Sequence, residues 1–530
     1  MEKAAKKAGF TVAAMILATF LSKLLGMLRQ VIIASTLADS MEGVAFAAAS
    51  KIPFAIFDML FSAAVLGSFI PIYKGSLTKE PERARKFSAS FLTCIAAVTA
   101  GIAVLGMIFS RQILFLAAPK LDEETAALAA ELLRIMFPAM IFAGTAYTLV
   151  GILQSHESFI LPSLVSAFSN LVIIGYLLLF RDLSGAAAAY GLAVAYLVSW
   201  MVQFLTLAVP LIRRHRFPRP CADFGNPDLR LSVKRSLPVM LGSWLLPVGT
   251  LTATFFSSYI DMQTSGAAIV VFDYAFSVYS IIAGILTYGV CNFIFPKLSE
   301  KSAAGDTSGF AETVRMGFFA ALVMILPVAA GTFILSDEGI RLLYLRGDFT
   351  EELASAVAAS LRVLTAAMPA YCVIELLSRV FYSCGKEKYP MYAAATGMIT
   401  GILSSLLFLA TDSLTVMTVA LSNAIGQIAA ALLLLLFCRG VIPSLIRKKD
   451  IKKIVGTAFS FAVSAAAMAI LHHFLIQKIV NFASFGNFII LAIVFLTGIV
   501  VYLICMISTK SLMISPSGWK RGENAHGRRR

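Results

Sequence analysis

Phe10–Thr36, FTVAAMILATFLSKLLGMLRQVIIAST, is the stretch on which the reading of this chain turns. It exceeds the roughly 20 apolar residues a helix needs to cross a bilayer. Yet it holds two cations, Lys23 and Arg29. Lys3, Lys6 and Lys7 before it resemble the head of a signal peptide, but the apolar run continues to about Ala38, too long for one. The stretch reads as an uncleaved first membrane helix. A charge at the bilayer centre costs at least about 2.5–3.5 kcal/mol on insertion scales, so Lys23 and Arg29 need a reason to be there.

The rest of the chain has the same character. Of 530 residues, 59% are hydrophobic and 14% charged, with a mean hydropathy of +0.85. Soluble domains are about a quarter charged, so a water-soluble enzyme is excluded. Apolar windows of spanning length fall at 10–36, 44–73, 87–110, 126–153, 159–180, 184–211 and 236–258, then at 267–296, 308–334, 353–382, 390–410, 413–437, 454–475 and 486–509. The expected fold is an all-α polytopic membrane protein of about fourteen helices.

Against that background the formal net charge is +15. In a soluble protein it would suggest nucleic acid. In a membrane protein it is mostly topology signal, because cytoplasmic loops carry the excess of Lys and Arg. With the N-terminus cytoplasmic, the inside segments hold 31 Lys and Arg and the outside segments 6. The largest inside contributions come from 212–235, 438–453 and 510–530. Both termini are therefore expected in the cytoplasm, with Arg528, Arg529 and Arg530 against anionic lipid. No nucleic-acid partner is expected.

The seven cysteines form no CxxC pair, and His156, His215, His472, His473 and His526 lack ligand spacing, so no metal site is expected. GxSxG, Walker and HExxH motifs are absent. The reading is not an enzyme and not ATP-driven. It needs no cofactor, and coupling would be to the membrane potential or a monovalent cation.

The chain resembles itself at an offset of 228 residues. Glu123-Glu124 falls on Glu351-Glu352, Leu133-Arg134-Ile135 on Leu361-Arg362-Val363, Ser155 on Ser383 and Pro162 on Pro390. Phe69-Ile70-Pro71 and Ile294-Phe295-Pro296 match at an offset near 225. Two copies of a six-helix unit in the same orientation are the parallel type of transporter repeat. The expected organisation is an N-lobe at 1–211, a basic linker at 212–235 and a C-lobe at 236–437. A basic loop at 438–453, two further helices within 454–509 and a basic tail at 510–530 follow.

Seven basic residues lie within spans: Lys23, Arg29, Lys51, Arg134, Arg315, Arg362 and Arg379. Arg315 and Arg379 lie near span ends and can snorkel, and Arg379 follows Glu375 by four residues, a helical ion-pair spacing. Arg134 and Arg362 are repeat-related and read as structural. Lys23, Arg29 and Lys51 are the substrate-binding candidates. If they share one water-filled cavity, it favours an anion such as phosphate. The alternative is that Lys51 pairs with Asp58, two turns on, and only holds the lobe together. Asp58, Asp273 and Glu375 are the acidic candidates for a cavity or ion-coupling role. Asp273 is open to binding a cation, pairing with Lys51 or Arg29, or capping a helix. Pro53, Pro71, Pro247 and Pro296, with Gly26, Gly67 and Gly249, are candidate bends in spans 1, 2, 7 and 8.

Several of these stretches resemble the MurJ/MviN lipid II flippases in the same order. They are Ser22-Lys-Leu-Leu-Gly26-Met-Leu-Arg29, Lys51-Ile-Pro53, Phe69-Ile-Pro71-Ile-Tyr73, Leu132-Leu-Arg-Ile-Met-Phe-Pro138 and Gly151-Ile-Leu-Gln-Ser155. Phe295-Pro-Lys-Leu-Ser299, Arg346-Gly-Asp-Phe-Thr350 and Phe381-Tyr-Ser383 complete the set. The resemblance implies two six-helix lobes around a cationic cavity, with two C-terminal helices forming a groove for a lipid tail. It implies transfer of a polyprenyl-diphosphate peptidoglycan precursor, lipid II, to the outer leaflet of the bacterial inner membrane by alternating access. The partners implied are that anionic lipid, bilayer lipids and cell-wall synthesis proteins.

The chain departs from the family pattern in places. Lys23 stands for an Arg, Phe57 and Asp58 for a basic pair, Ser277 for a cavity Arg, and Gln30 for an acid. The cavity is thus less cationic than the family's. Alternatives are a flippase for another lipid-linked glycan, a drug or cation antiporter of the same superfamily, and a non-transporting scaffold for wall synthesis.

Overall fold

The computed structural model describes residues 2–62, 68–77, 80–260, 267–442, 445–479 and 483–511. Gly67 and Arg528, Arg529 and Arg530 lie outside the described residues, as do the side chains of Lys3, Lys6, Lys7, Phe295 and Pro296. Among the described residues every regular element is helical. The first two are α1 (Glu2–Leu37) and α2 (Met41–Phe57), the latter followed by a π-helical turn, Asp58–Ser62. Next come α3 (Ile70–Leu77), α4 (Pro81–Ile108), α5 (Ser110–Ala117), α6 (Glu123–Met136), α7 (Ala139–Ser155), α8 (Ile160–Leu179) and α9 (Gly185–Arg213). The chain continues through α10 (Pro227–Ser243), α11 (Leu245–Ser257), α12 (Ala267–Ala303), α13 (Thr307–Ile334), α14 (Ser336–Tyr344), α15 (Glu351–Thr365) and α16 (Met368–Ser383). It closes with α17 (Lys388–Ala410), α18 (Val416–Cys438), α19 (Lys448–Ile479) and α20 (Ala483–Ser508).

Helices follow from the apolar composition, since in hydrocarbon each backbone N–H and C=O must be satisfied within its own segment. Among the described residues, eleven helices are long and apolar enough to cross a membrane. Two further crossings are bent pairs, α6–α7 at 41° and α15–α16 at 48°. The remaining apolar window, 236–258, is covered by α10 and the short apolar α11, which meet at Trp244. The chain is an all-α, multi-pass membrane protein.

The breaks have local causes. Pro138 follows the end of α6, and Pro369 sits in the first turn of α16. A proline has no N–H for the ladder and its ring crowds the preceding turn, so it starts a helix better than it continues one. The two bent spans are those the 228-residue offset places in register. A short helix precedes each, α5 before α6 and α14 before α15. Arg134 Nε donates to the Met107 carbonyl at 3.3 Å, near the end of α4. Arg362 pairs with Asp337 of α14. Each of these repeat-related arginines ties its bent span to the segment before it.

The fold consists of two compact units interleaved in sequence. The first comprises Met1–Val278, Tyr344–Val357 and Ala394–Gly426, and the second Tyr279–Leu343, Ala358–Ala393 and Gln427–Arg530. Within the first, α1 packs on α8, and α2 lays a buried alanine face (Ala45, Ala48, Ala49) in a bundle with α6 and α9. Small side chains let backbones approach, which matters in lipid because close packing rather than water exclusion holds helices together. Polar links join α1 to α8: Ser22 Oγ donates to the Ser163 carbonyl at 3.0 Å, and Asn170 Nδ2 to the Ser22 carbonyl at 3.2 Å. In the π-turn, the Met59 carbonyl accepts from Trp244 Nε1 at 2.9 Å, linking the end of α2 to the α10–α11 break. Outside the spans, Arg83 donates to both carboxylate oxygens of Asp228 at 2.7 and 2.8 Å. That hydrogen bonding holds the Asp228 carboxyl below its usual range.

In the second unit, α19 and α20 form a hairpin packed on α13 through Leu335, Met468, Ile490 and Val494. Polar contacts hold α19 and its leading segment. His472 Nε2 lies 2.8 Å from Glu338 Oε1. Arg447 lies 2.7 Å from Glu312 Oε2, which also takes Arg315 at 2.8 Å. The Arg379–Glu375 spacing closes as an ion pair of 2.6 Å.

One turn fastens the first unit. Gly347 has φ +61° and lies against the Ser35 backbone, while Asp348 N–H donates to the Ser35 carbonyl at 3.2 Å. A Cβ there meets backbone that cannot rotate away, on top of the roughly 1–3 kcal/mol that the left-handed region costs other residues. Gly385 has φ +66° but nothing within 4 Å of its notional Cβ. Gly347→Ala is therefore expected to lower the melting temperature of the detergent-solubilised protein clearly more than Gly385→Ala does. Equal shifts would show that the Ser35 contact contributes nothing.

Candidate substrate cavity

The first unit encloses a cavity of about 510 Å³, lined by α1, α2, α7, α8, α9 and the start of α12. That size is typical of small-molecule sites. Its charged residues come from three helices: Arg29 from α1, Lys51 from α2 and Asp273 from α12. Lys51 Nζ lies 3.2 Å from Asp273 Oδ1. The two side chains are 14% and 28% exposed, so the pair is only partly screened by solvent. Arg29 differs: its Nε is buried and has no hydrogen-bond partner among the described residues. A buried donor without an acceptor costs about 1–3 kcal/mol. Two cations and one carboxylate leave the set one charge positive.

The remaining lining is uncharged. Along α8, Ser166, Ser169, Asn170 and Ile173 line the cavity at helical i, i+3, i+4, i+7 spacing. Along α9 the same spacing presents Tyr196, Ser199, Trp200 and Gln203. Gln203 Nε2 donates to Ser169 Oγ at 2.9 Å, joining the two stripes. Tyr196 donates to the Ser50 carbonyl at 3.4 Å. Phe54, Tyr147 and Trp200 supply aromatic lining. Behind them sits Phe57, 1% exposed, with ring centroids 4.9 Å from Tyr147 and 6.2 Å from Trp200. A ring thus stands where the resemblance places a cation, and it supports the aromatic wall.

Arg29, Lys51 and Asp273 therefore share one space, and of the openings left for Asp273 the structure shows the pair with Lys51. Lys23 is half-buried on α1 and is not among the residues lining this cavity. Nor are Asp58, the first residue of the π-turn, and Ser277, one turn beyond Asp273. Glu375 lies in the second unit with Arg379. The α8 and α9 stripes escaped a reading that searched only for charge. Their signal is legible all the same: polar residues recurring on one face of spans that are otherwise apolar. Among the described residues no cluster of His, Cys, Asp or Glu is suited to a metal ion.

Comparison with known proteins agrees with this architecture. The family model described as lipid II flippase MurJ matches residues 33–495. A protein of Bdellovibrio bacteriovorus named as a probable lipid II flippase MurJ is 28% identical over 72% of this chain and 72% of its own. One of Rickettsia prowazekii with the same name is 25% identical over 77% of this chain and 79% of its own. Among solved structures, a lipid II flippase MurJ in an inward closed conformation superposes with a TM-score of 0.76 at 22% identity, covering 94% of this chain and 99% of that one. An inward-facing multidrug resistance MATE transporter gives 0.64 at 16% identity over 80% of this chain and 95% of its own. These structures share the fold. The family match spans most of the chain, and the chain belongs to the lipid II flippase MurJ family.

Proposed function

We propose that this protein carries lipid II, a polyprenyl-diphosphate-linked peptidoglycan precursor, from the inner to the outer leaflet of the bacterial cytoplasmic membrane. The carrying observation is that Arg29 and Lys51 line one cavity in which Asp273 is the one carboxylate among the described residues, leaving the charged lining net positive. A diphosphate suits that pair, since a guanidinium fork and an ammonium both bind phosphate oxygens. Movement is by alternating access, with both termini cytoplasmic, as the ratio of 31 to 6 basic residues supports. The lipid tail stays in the bilayer along α19 and α20. The drive is the membrane potential or a monovalent-cation gradient, with no bound cofactor. Cell-wall synthesis proteins are proposed partners.

A drug or cation antiporter is less favoured. Asp273, the carboxylate lining the cavity, is held by Lys51, and a cationic cargo would meet Arg29. A non-transporting scaffold has no use for an unpartnered buried donor. Transport of another lipid-linked glycan keeps the same cationic end.

Complementation of a flippase-depleted bacterium tests the proposal. The wild-type chain is expected to restore growth and Arg29→Ala to fail at equal expression. Equal rescue by both would remove Arg29 from the site. An expressed wild-type chain that does not rescue would point to another lipid-linked glycan.

The Lys51–Asp273 pair is open to a second measurement. Lys51→Ala and Asp273→Ala each leave a half-buried charge without its partner. The double substitution is expected to be less destabilising than the sum of the two, with a coupling of roughly 0.5–3 kcal/mol. Thermal melts of the four proteins in detergent give the cycle, and additive effects would mean that the pair contributes no net stability.

A further inference from the structure

We propose that the α8 and α9 stripes, with the aromatic wall, form a sugar subsite. Trp200 and Gln203 would make the protein prefer a prenyl diphosphate that carries an N-acetylhexosamine over the bare prenyl diphosphate. The proposal rests on the lipid-linked-glycan reading and names which residues read the glycan.

The first observation is the division of charge. Every charged lining residue comes from α1, α2 or α12, while α7, α8 and α9 contribute none. A phosphate needs charge or a fan of N–H donors. A sugar ring instead presents hydroxyls that both give and take hydrogen bonds, around a face of C–H groups. Neutral amides and hydroxyls match its edge, and an aromatic plane matches its face.

The second observation is that the neutral groups are already oriented. Gln203 spends its amide N–H on Ser169 Oγ at 2.9 Å, and Asn170 spends its own on the Ser22 carbonyl at 3.2 Å. Each amide oxygen then remains as an acceptor for a ligand hydroxyl or acetamido N–H. Fixing the amides before binding lowers the entropy lost when the ligand arrives.

The third is the support behind the aromatic wall. Phe57 is fully buried against Tyr147 and Trp200, and Phe54 lies 6.0 Å from Trp200 between ring centroids. A ring held by other rings is a rigid platform. A cation in the place of Phe57 would put charge behind that platform instead.

The test uses the purified full-length chain in detergent with two probes, farnesyl diphosphate and farnesyl-diphospho-N-acetylglucosamine. Binding is followed by thermophoresis or native mass spectrometry. The wild-type protein is expected to bind the glycosylated probe about tenfold more tightly, the size of one aromatic contact or one neutral hydrogen bond. Trp200→Ala and Gln203→Leu should each remove most of that advantage and leave the bare diphosphate unchanged. Trp200→Phe, which keeps a ring, should retain it and serves if the alanine variant does not fold. Arg29→Ala should weaken both probes alike. Equal wild-type affinity for the two probes, or equal weakening of both by Gln203→Leu, overturns the sugar subsite while Arg29-dependent binding stands. Binding of the bare diphosphate that ignores Arg29→Ala overturns the underlying reading instead.

Discussion

A cation held at membrane depth must be hydrated, paired or given an anion, and the first unit is organised around that requirement. Lys51 is satisfied by Asp273 from a helix more than two hundred residues away in sequence. Arg29 Nε is buried and has no hydrogen-bond partner among the described residues. Arg134, Arg315, Arg362 and Arg379 each find a carbonyl or carboxylate close by. The contrast is one of local partners. Satisfied arginines tie one helix to the next, whereas Arg29 faces a space large enough for a ligand.

Several helices do not run straight through. α2 gives way to a π-turn at Asp58, α6–α7 and α15–α16 bend, and α10 and α11 part at Trp244. Each interruption frees backbone groups that need partners, and the Trp244–Met59 bond meets one such need. Breaks of this kind are tolerated in membranes only where protein or water supplies the missing bonds. Within the first unit, α2 and α12 bring Lys51 and Asp273 together in a cavity that α1 also lines.

The departures from the family pattern acquire a physical meaning here. Phe57 does not leave a gap where a cation would stand, because its ring fills the position and props Tyr147 and Trp200. The cavity has exchanged some charge for aromatic surface. One carboxylate offsets one of the two lining cations, so under the proposed diphosphate-linked substrate the uncharged contacts would carry more of the selectivity. In the proposal above, the α8 and α9 stripes supply them.

Much of the fold was readable before any coordinate. Spans announce themselves because an apolar run has only one stable arrangement in lipid, and among the described residues most windows assigned from hydropathy fall on one long helix or a bent pair, while 236–258 is divided between α10 and α11. Arg134 and Arg362, which the 228-residue offset aligns, each contact a preceding segment, Arg134 through a backbone carbonyl and Arg362 through a carboxylate. Arg29 and Lys51 stood out because charge in an apolar run is costly. What the sequence by itself could not determine was which charges meet. Lys51 is two turns from Asp58 along its own helix and two hundred residues from Asp273, and it pairs with the distant one. Lys23 lies less than two turns from Arg29, yet it is not in the cavity lining. Helix rotation and crossing, set by small-residue packing and by the breaks at proline and π-turn, decide which faces line a space. Those quantities exist only in three dimensions, and for the same reason only the tertiary structure brings the uncharged stripes of α8 and α9 to one cavity.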